Sequence, residues 1–82
     1  MRIDAFLNTT NIVKRRAIAQ DMLENKVILI GGIAPKASRE VKVGDIIEIV
    51  YLEKRMKYEV LKIPETKTVP KNQKELYVKE LA

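Results

Sequence analysis

Apolar residues along this chain change their spacing near residue 26. Before that point Ile12, Ala19, Met22 and Leu23, with Ile18 beside them, recur at three, four and seven residues. That spacing sets them on one face of a helix and leaves Lys14, Asp21 and Glu24 on the other. A helix is therefore predicted over 14–24, and Asn25 suits the left-handed C′ position that ends one. A shorter helix precedes it, with Asp4 as N-cap or first-turn residue ahead of Ala5-Phe6-Leu7. The stretch Asn8-Thr9-Thr10-Asn11 competes with helix for backbone hydrogen bonds and keeps that first helix short.

After Lys26 the pattern becomes that of strands. Val27-Ile28-Leu29-Ile30 is largely β-branched, and Gly31-Gly32 supplies the positive φ angles of a tight hairpin turn. The short return Ile33-Ala34 is stopped by Pro35. Gly44-Asp45 forms a turn that opens the strongest strand, Ile46 to Tyr51, and Glu53-Lys54 makes the next reversal. Met56, Tyr58, Val60 and, less regularly, Ile63 then alternate with Lys57, Glu59 and Lys62, as in a half-exposed antiparallel strand. Pro64 to Pro70 reads as a polar loop, Lys71 to Glu75 as one helical turn, and Leu76-Tyr77-Val78 as a last edge strand. The expected fold class is α+β, two N-terminal helices packed on a small antiparallel sheet. With 82 residues the chain is expected to form a single domain spanning 1–82.

Composition narrows the chemistry. There is no cysteine and no histidine, which excludes thiolate nucleophiles, disulfides, the usual zinc ligands and the commonest general base. Carboxylates are scattered, each within a few positions of a basic residue, and the glycine pair precedes a strand rather than a phosphate-cradling helix. No catalytic residue, metal site or cofactor is expected, and the chain is read as a non-enzyme. Its longest apolar run is four residues and no signal segment opens it, so a cytoplasmic location away from membranes is expected.

Charge points further. The net charge is +5, and residues 1–43 hold eight basic and four acidic residues against eight and seven in 44–82. A basic, structured N-terminal half suggests a polyanion such as RNA or DNA; a merely solvated basic surface is the other reading. Lys14-Arg15-Arg16 opposes the positive end of a helix macrodipole, an arrangement that a bound phosphate would relieve and that a solvated turn would simply tolerate. Both readings stand. The four aromatics are Phe6, Tyr51, Tyr58 and Tyr77. Phe6 sits in an apolar run and the tyrosines in strand-like segments, as core or sheet-face residues. Any RNA contact is therefore expected to address phosphates and folded shape rather than stacked bases.

In order along the chain come Arg2-Ile3-Asp4, Phe6-Leu7, Lys14-Arg15-Arg16 with Ala19 and Leu23, and Val27 to Ile30 before a glycine turn. Lys36-Ala37-Ser38, Val41 and Val43-Gly44-Asp45-Ile46 follow. This combination resembles the S-four RNA-binding domain, named after ribosomal small-subunit protein four. The similarity covers residues 2–51 as the RNA-binding core and leaves 52–82 as a sheet extension and C-terminal segment. It is nearest to the free-standing bacterial members of the ribosome-associated quality-control branch, and less close to the fifteen-kilodalton heat-shock branch. The resemblance implies one RNA-binding face, the αL motif, made by the helix pair and the adjoining hairpin. It also implies binding of structured ribosomal RNA on the large ribosomal subunit in rescue of stalled nascent chains, with transfer RNA and a quality-control factor as further partners.

Carried over by position, Arg2, Lys14, Arg15, Arg16 and Lys36 are the expected phosphate contacts, and Arg39 is added on charge alone. Asp4 matches the family acid as a helix cap or as an orienting partner for an arginine, and Gly44 and Asp45 match a structural turn. Arg15 stands where the family often has serine, and Asn25 where it commonly has glycine. A rival of a different class is a protein–protein adaptor that recruits its partner by strand addition at a sheet edge. A third reading, an accessory module of an RNA-modifying enzyme, lacks the large catalytic domain it requires. A monomer is expected.

Overall fold

Alternation along residues 46–60 becomes a pair of strands in register, with Ile47 opposite Tyr58 and Ile49 opposite Met56 on the core side, and Glu48 opposite Lys57 on the outer side. The computed structural model describes residues 1–81. Its elements are α1 (Ile3–Thr9), α2 (Arg16–Glu24), β1 (Ile28–Ile30), β2 (Ile46–Val50), β3 (Arg55–Val60), a 3-10 turn (Lys71–Leu76) and β4 (Val78–Leu81). The four strands pair antiparallel in the order β1-β2-β3-β4. Ile3, Phe6 and Leu7 of α1 and Ala19 and Leu23 of α2 share one buried cluster with Ile28, Ile47, Ile49, Val60 and Val78 of the sheet. A side chain as large as Phe6, with no exposed surface, is worth about 1.5–3 kcal/mol in such a cluster. The architecture is the α+β arrangement that the pattern predicts.

The boundaries differ in instructive ways. Helix α2 starts at Arg16 rather than Lys14, because the Asn8 side-chain amide donates to the carbonyls of Lys14 (3.0 Å) and Val13 (3.4 Å). Those bonds hold the preceding turn out of the helix and leave Arg15 extended at the N-cap, with φ −133° and ψ 140°. Ile12 packs against the core from the turn before the helix, and Ile18 is exposed rather than part of the apolar face.

The left-handed residue after α2 is Lys26 (φ 60°), not Asn25 (φ −80°). Asn25 turns its side-chain amide back onto the Asp21 carbonyl at 2.8 Å and stays right-handed as the C-cap. The Lys26 amide then donates to Leu23 O and the Val27 amide to Met22 O, which is a Schellman closure one residue further on.

Gly31 and Gly32, with φ 59° and 82°, make a two-residue primed turn, closed by reciprocal bonds between Ile30 and Ile33 of 2.9 and 3.1 Å. The return is a single bridge, and the ladder partner of β1 is β2.

Strand β4 starts two residues later than the apolar triplet 76–78 suggests. The Tyr77 carbonyl is already taken by the amides of Leu61 (2.7 Å) and Lys62 (3.3 Å), so the ladder begins with Val78 opposite Val60. Nor is the loop 64–70 polar throughout, since Val69 is buried. The Thr9 hydroxyl donates to the Lys67 carbonyl (3.2 Å) and the Asn11 amide to the Val69 carbonyl (2.6 Å), pinning this strap over the end of α1. Of the tyrosines, Tyr58 is buried and Tyr77 partly so, while Tyr51 stands exposed at the β2–β3 turn beneath the Lys54 ammonium.

Candidate nucleic-acid interface

The site is built around one buried carboxylate. Asp4 lies in the first turn of α1 with no exposed side-chain surface. It accepts hydrogen bonds from the Ala5 amide (2.8 Å), Gln20 Nε2 (3.0 Å), Arg2 Nη2 (3.2 Å) and Arg16 Nη2 (3.4 Å). Burial alone would raise its pKa. The bonds from Gln20 and Ala5, with the hydrogen bond and charge of Arg16, outweigh that and hold the carboxyl below its ordinary value. The N-cap of α1 is Arg2, and Asp4 stands inside the first turn with its carboxylate paired to Arg2 and Arg16. Both arginines keep almost half of their side-chain surface exposed (47% and 48%), so their outward N–H groups remain available.

The start of α1 has no side-chain cap, and its free amides are taken up by a neighbouring loop. The Ile3 amide donates to Arg39 O (2.8 Å) and the Asp4 amide to Ala37 O (3.4 Å), while the Val41 amide donates back to Met1 O (2.9 Å). Arg2 and Glu40 form a β-bridge within this junction. The backbone thus carries Lys36 and Arg39 to the end of α1 where Arg2 and Arg16 converge. Glu40, the acid in this loop, is paired with the terminal ammonium at 2.7 Å. That hydrogen bond and its charge lower the Glu40 pKa.

Arg39 reaches Asp45 at 3.4 Å, and the same Asp45 oxygen accepts the Lys42 amide at 2.9 Å. Asp45 therefore closes the turn, as expected of it, and also pairs with the Arg39 side chain. Gly44, at φ 94°, fixes the turn to the sheet through its amide, 2.8 Å from Val60 O. Lys36 lines an open groove of about 530 Å³ with Gln20, Leu23, Lys26 and Pro35.

The basic triplet is divided by the fold. Arg16 is tethered to Asp4, whereas Lys14 and Arg15 stand exposed in the turn between the helices. Neither has an acidic partner among the described residues. Gln20, which completes the Asp4 shell, was absent from the expected set. Its signal is its place four residues after Arg16, on the same helix face.

A helix pair on a four-stranded antiparallel sheet, here with two arginines anchored at the helix junction, is a small S-four-like fold. Over 78 residues the chain is 44% identical to the RQC P-site tRNA stabilizing factor of Helicobacter pylori (strain ATCC 700392 / 26695), covering 95% of this chain and 93% of that protein. It is 33% identical over 66 residues to the protein of the same name from Bacillus subtilis (strain 168), covering 80% and 77% of the two chains. The chain belongs to the family of RQC P-site tRNA stabilizing factors.

The solution structure of the hypothetical protein HP1423 matches with a TM-score of 0.85 and 41% identity, over 100% of this chain and 98% of that one. The trimeric structure of Vibrio cholerae Heat Shock Protein 15 matches with a TM-score of 0.89 over 100% and 82% of the chains. At 22% identity the latter speaks to the fold alone. No protein-family model matches.

Proposed function

We propose that this chain binds structured RNA through the Asp4-centred basic cluster and stabilizes P-site tRNA in ribosome-associated quality control, the role its relatives are named for. Arg2, Arg16, Lys36 and Arg39 hold phosphates at the junction of α1 and the 36–41 loop, and Lys14 and Arg15 extend the contact along the turn. The docking site is ribosomal RNA of the large subunit, in the cytoplasm, with a quality-control factor on the same particle. The protein acts by holding RNA, as a monomer, with no cofactor and no chemical step.

The observation that carries this reading is the pair of half-exposed arginines aligned by one fully buried carboxylate. Ordering a free arginine on binding costs about 0.5–1.5 kcal/mol, and here Asp4 has already taken up part of that cost. The guanidinium fork offers paired N–H donors that match phosphate oxygens.

The test is sedimentation of tagged protein through gradients of cell lysate at low and raised salt, with Arg16→Ala alongside. Co-migration with free large subunits that fades as salt rises, and is weaker in the variant, supports the proposal. Undiminished co-migration of Arg16→Ala counts against it. Association that ignores ionic strength favours the protein–protein adaptor instead.

A further inference from the structure

The C-terminal half of the chain has nearly balanced charge, yet the fold places part of it beside the basic turn. The strap 64–70 runs over the end of α1, where Thr9 holds the Lys67 carbonyl and Asn11, itself left-handed at φ 63°, holds the Val69 carbonyl. Val69 is only 2% exposed, so the strap is anchored by packing as well as by two hydrogen bonds. Two residues before that anchor stands the exposed Lys67, and two residues after it the exposed Lys71, at the start of the 3-10 turn that follows the strap. Lys14 follows Asn11 by three residues, and Asn8 fixes the backbone of Lys14 from the same turn.

Between Lys62 and Lys74 there are four lysines and one acid, Glu65. Two of those lysines are engaged elsewhere: Lys62 lies over the Tyr77 ring and Lys74 over the Tyr58 ring. Lys67 and Lys71 have no acidic or aromatic partner among the described residues.

We infer that Lys67 and Lys71, with Lys14 and Arg15, form a second phosphate-binding ridge at the far end of α1 from the Asp4 cluster. The first cluster is anchored at Asp4 and the strap at Thr9, five residues or about 7.5 Å further along the α1 axis, and the adjacent Arg16 and Arg15 join the two. Arg16 tethers one and Arg15 begins the other. An RNA backbone leaving the Asp4 cluster along the interhelix turn meets the strap next. The ligand is the phosphodiester backbone of structured RNA, and the ridge lengthens the track rather than adding base readout, since its four side chains are all cationic and non-aromatic. This inference rests on the RNA-binding reading above and extends it to residues that lie outside the 2–51 core.

The experiment compares wild type, Lys67→Ala/Lys71→Ala, Arg16→Ala and a charge-matched control, Lys57→Ala/Lys79→Ala, whose lysines lie on the outer face of the sheet. Two probes are used in parallel, purified bulk tRNA and salt-washed large ribosomal subunits, and Kd is measured across a salt series. The strap variant is expected to bind about tenfold more weakly, with a salt slope shallower by about 1.5–2 for two lost phosphate contacts. The control keeps wild-type slope and affinity, and unchanged far-UV circular dichroism confirms that all variants fold. The probe on which the slope changes identifies whether tRNA or ribosomal RNA lies on the ridge.

If Arg16→Ala weakens binding while the strap variant matches wild type on both probes, the ridge is refuted and the Asp4-centred reading survives. An equal loss in the control refutes the ridge as well, because the effect is then one of overall charge. Failure of wild type to bind either probe removes both proposals.

Discussion

The Arg16 guanidinium lies 3.3 Å from the Asp4 carboxylate, and the two belong to different helices. The carboxylate is fully buried and the guanidinium nearly half exposed, so the pair works as an anchor with one free end. Replacing Asp4 by Asn keeps the shape and removes the charge. Loss of the charge-assisted bonds to Arg2 and Arg16 is expected to cost about 1–3 kcal/mol of stability. The substitution also raises the net charge by one unit. If RNA affinity followed charge alone it would rise; if it follows the aim of the two arginines it falls. Melting temperature and tRNA affinity of Asp4→Asn decide between these, and a fall in both is expected.

Acid is expected to unfold the chain through the carboxyls that titrate low in the folded state. Asp4 and Glu40 both lie below their ordinary values of 3.8 and 4.5. The unfolded chain therefore takes up these protons first. The stabilisation is complete above the ordinary carboxylate range and is lost as pH falls through the lowered folded-state values. Thermal melts from about pH 6 down to about pH 2 check this, and Asp4→Asn is expected to flatten the acid limb. The Glu40 share, resting on an exposed pair with the terminal ammonium, is expected to shrink in high salt, and the Asp4 share much less.

The Gly31-Gly32 turn gives opposite signs for two substitutions. Each glycine has positive φ, and a Cβ at either would meet nothing within 4 Å, so backbone conformation alone decides. Gly31→Asn suits the first position of a primed turn and narrows the unfolded ensemble, so it is expected to be neutral or to stabilise by up to about 1 kcal/mol. Gly32→Val puts a β-branched residue at φ 82° and is expected to destabilise by about 1–3 kcal/mol. Urea denaturation midpoints of the two variants are the measurement.

Val69 connects the strap to the rest of the molecule. Val69→Ala is expected to cost about 1–2 kcal/mol through lost burial. It is also expected to raise amide exchange at residues 67–69 more than in the sheet, because beside Val69 this part of the strap is tied to the end of α1 by the hydrogen bonds from Thr9 and Asn11. Hydrogen exchange resolved by residue checks this. Uniform acceleration across β2 and β3 would show that the strap does not open separately.

How far the chain discloses itself before folding depends on the range of the forces involved. The Gly31-Gly32 turn and the alternation of β2 and β3 are local, and they are legible. The left-handed residue at Lys26 is not, because Asn25 satisfies its side chain on Asp21 and passes the reversal on. Similarly, the start of α2 is displaced by the Asn8 amide, which a periodicity count does not weigh. In the candidate site, Arg2, Asp4 and Arg16 are visible as residue types in order, but their convergence needs the two helices packed. Gln20 shares a helix face with Arg16 but meets Asp4 only across 16 residues, and the lysines at 67 and 71 come from long-range placement; for Lys67 the tie spans 58 residues. A tally of charge by halves of the chain is blind to such a return.

The spatial order of the strands is also their order along the chain. Every strand lies beside its sequence neighbour, so the sheet closes by successive zippering and no segment has to thread past another. The tight reversal at 51–54, where the Tyr51 amide meets the Lys54 carbonyl at 2.8 Å, makes β2–β3 the shortest loop to close. Refolding is expected to begin there, with β1 and the strapped C-terminal segment joining later. Substitutions in the 51–54 turn are then expected to slow folding, and Val69→Ala mainly to hasten unfolding, as separate shifts of the two arms of a chevron plot.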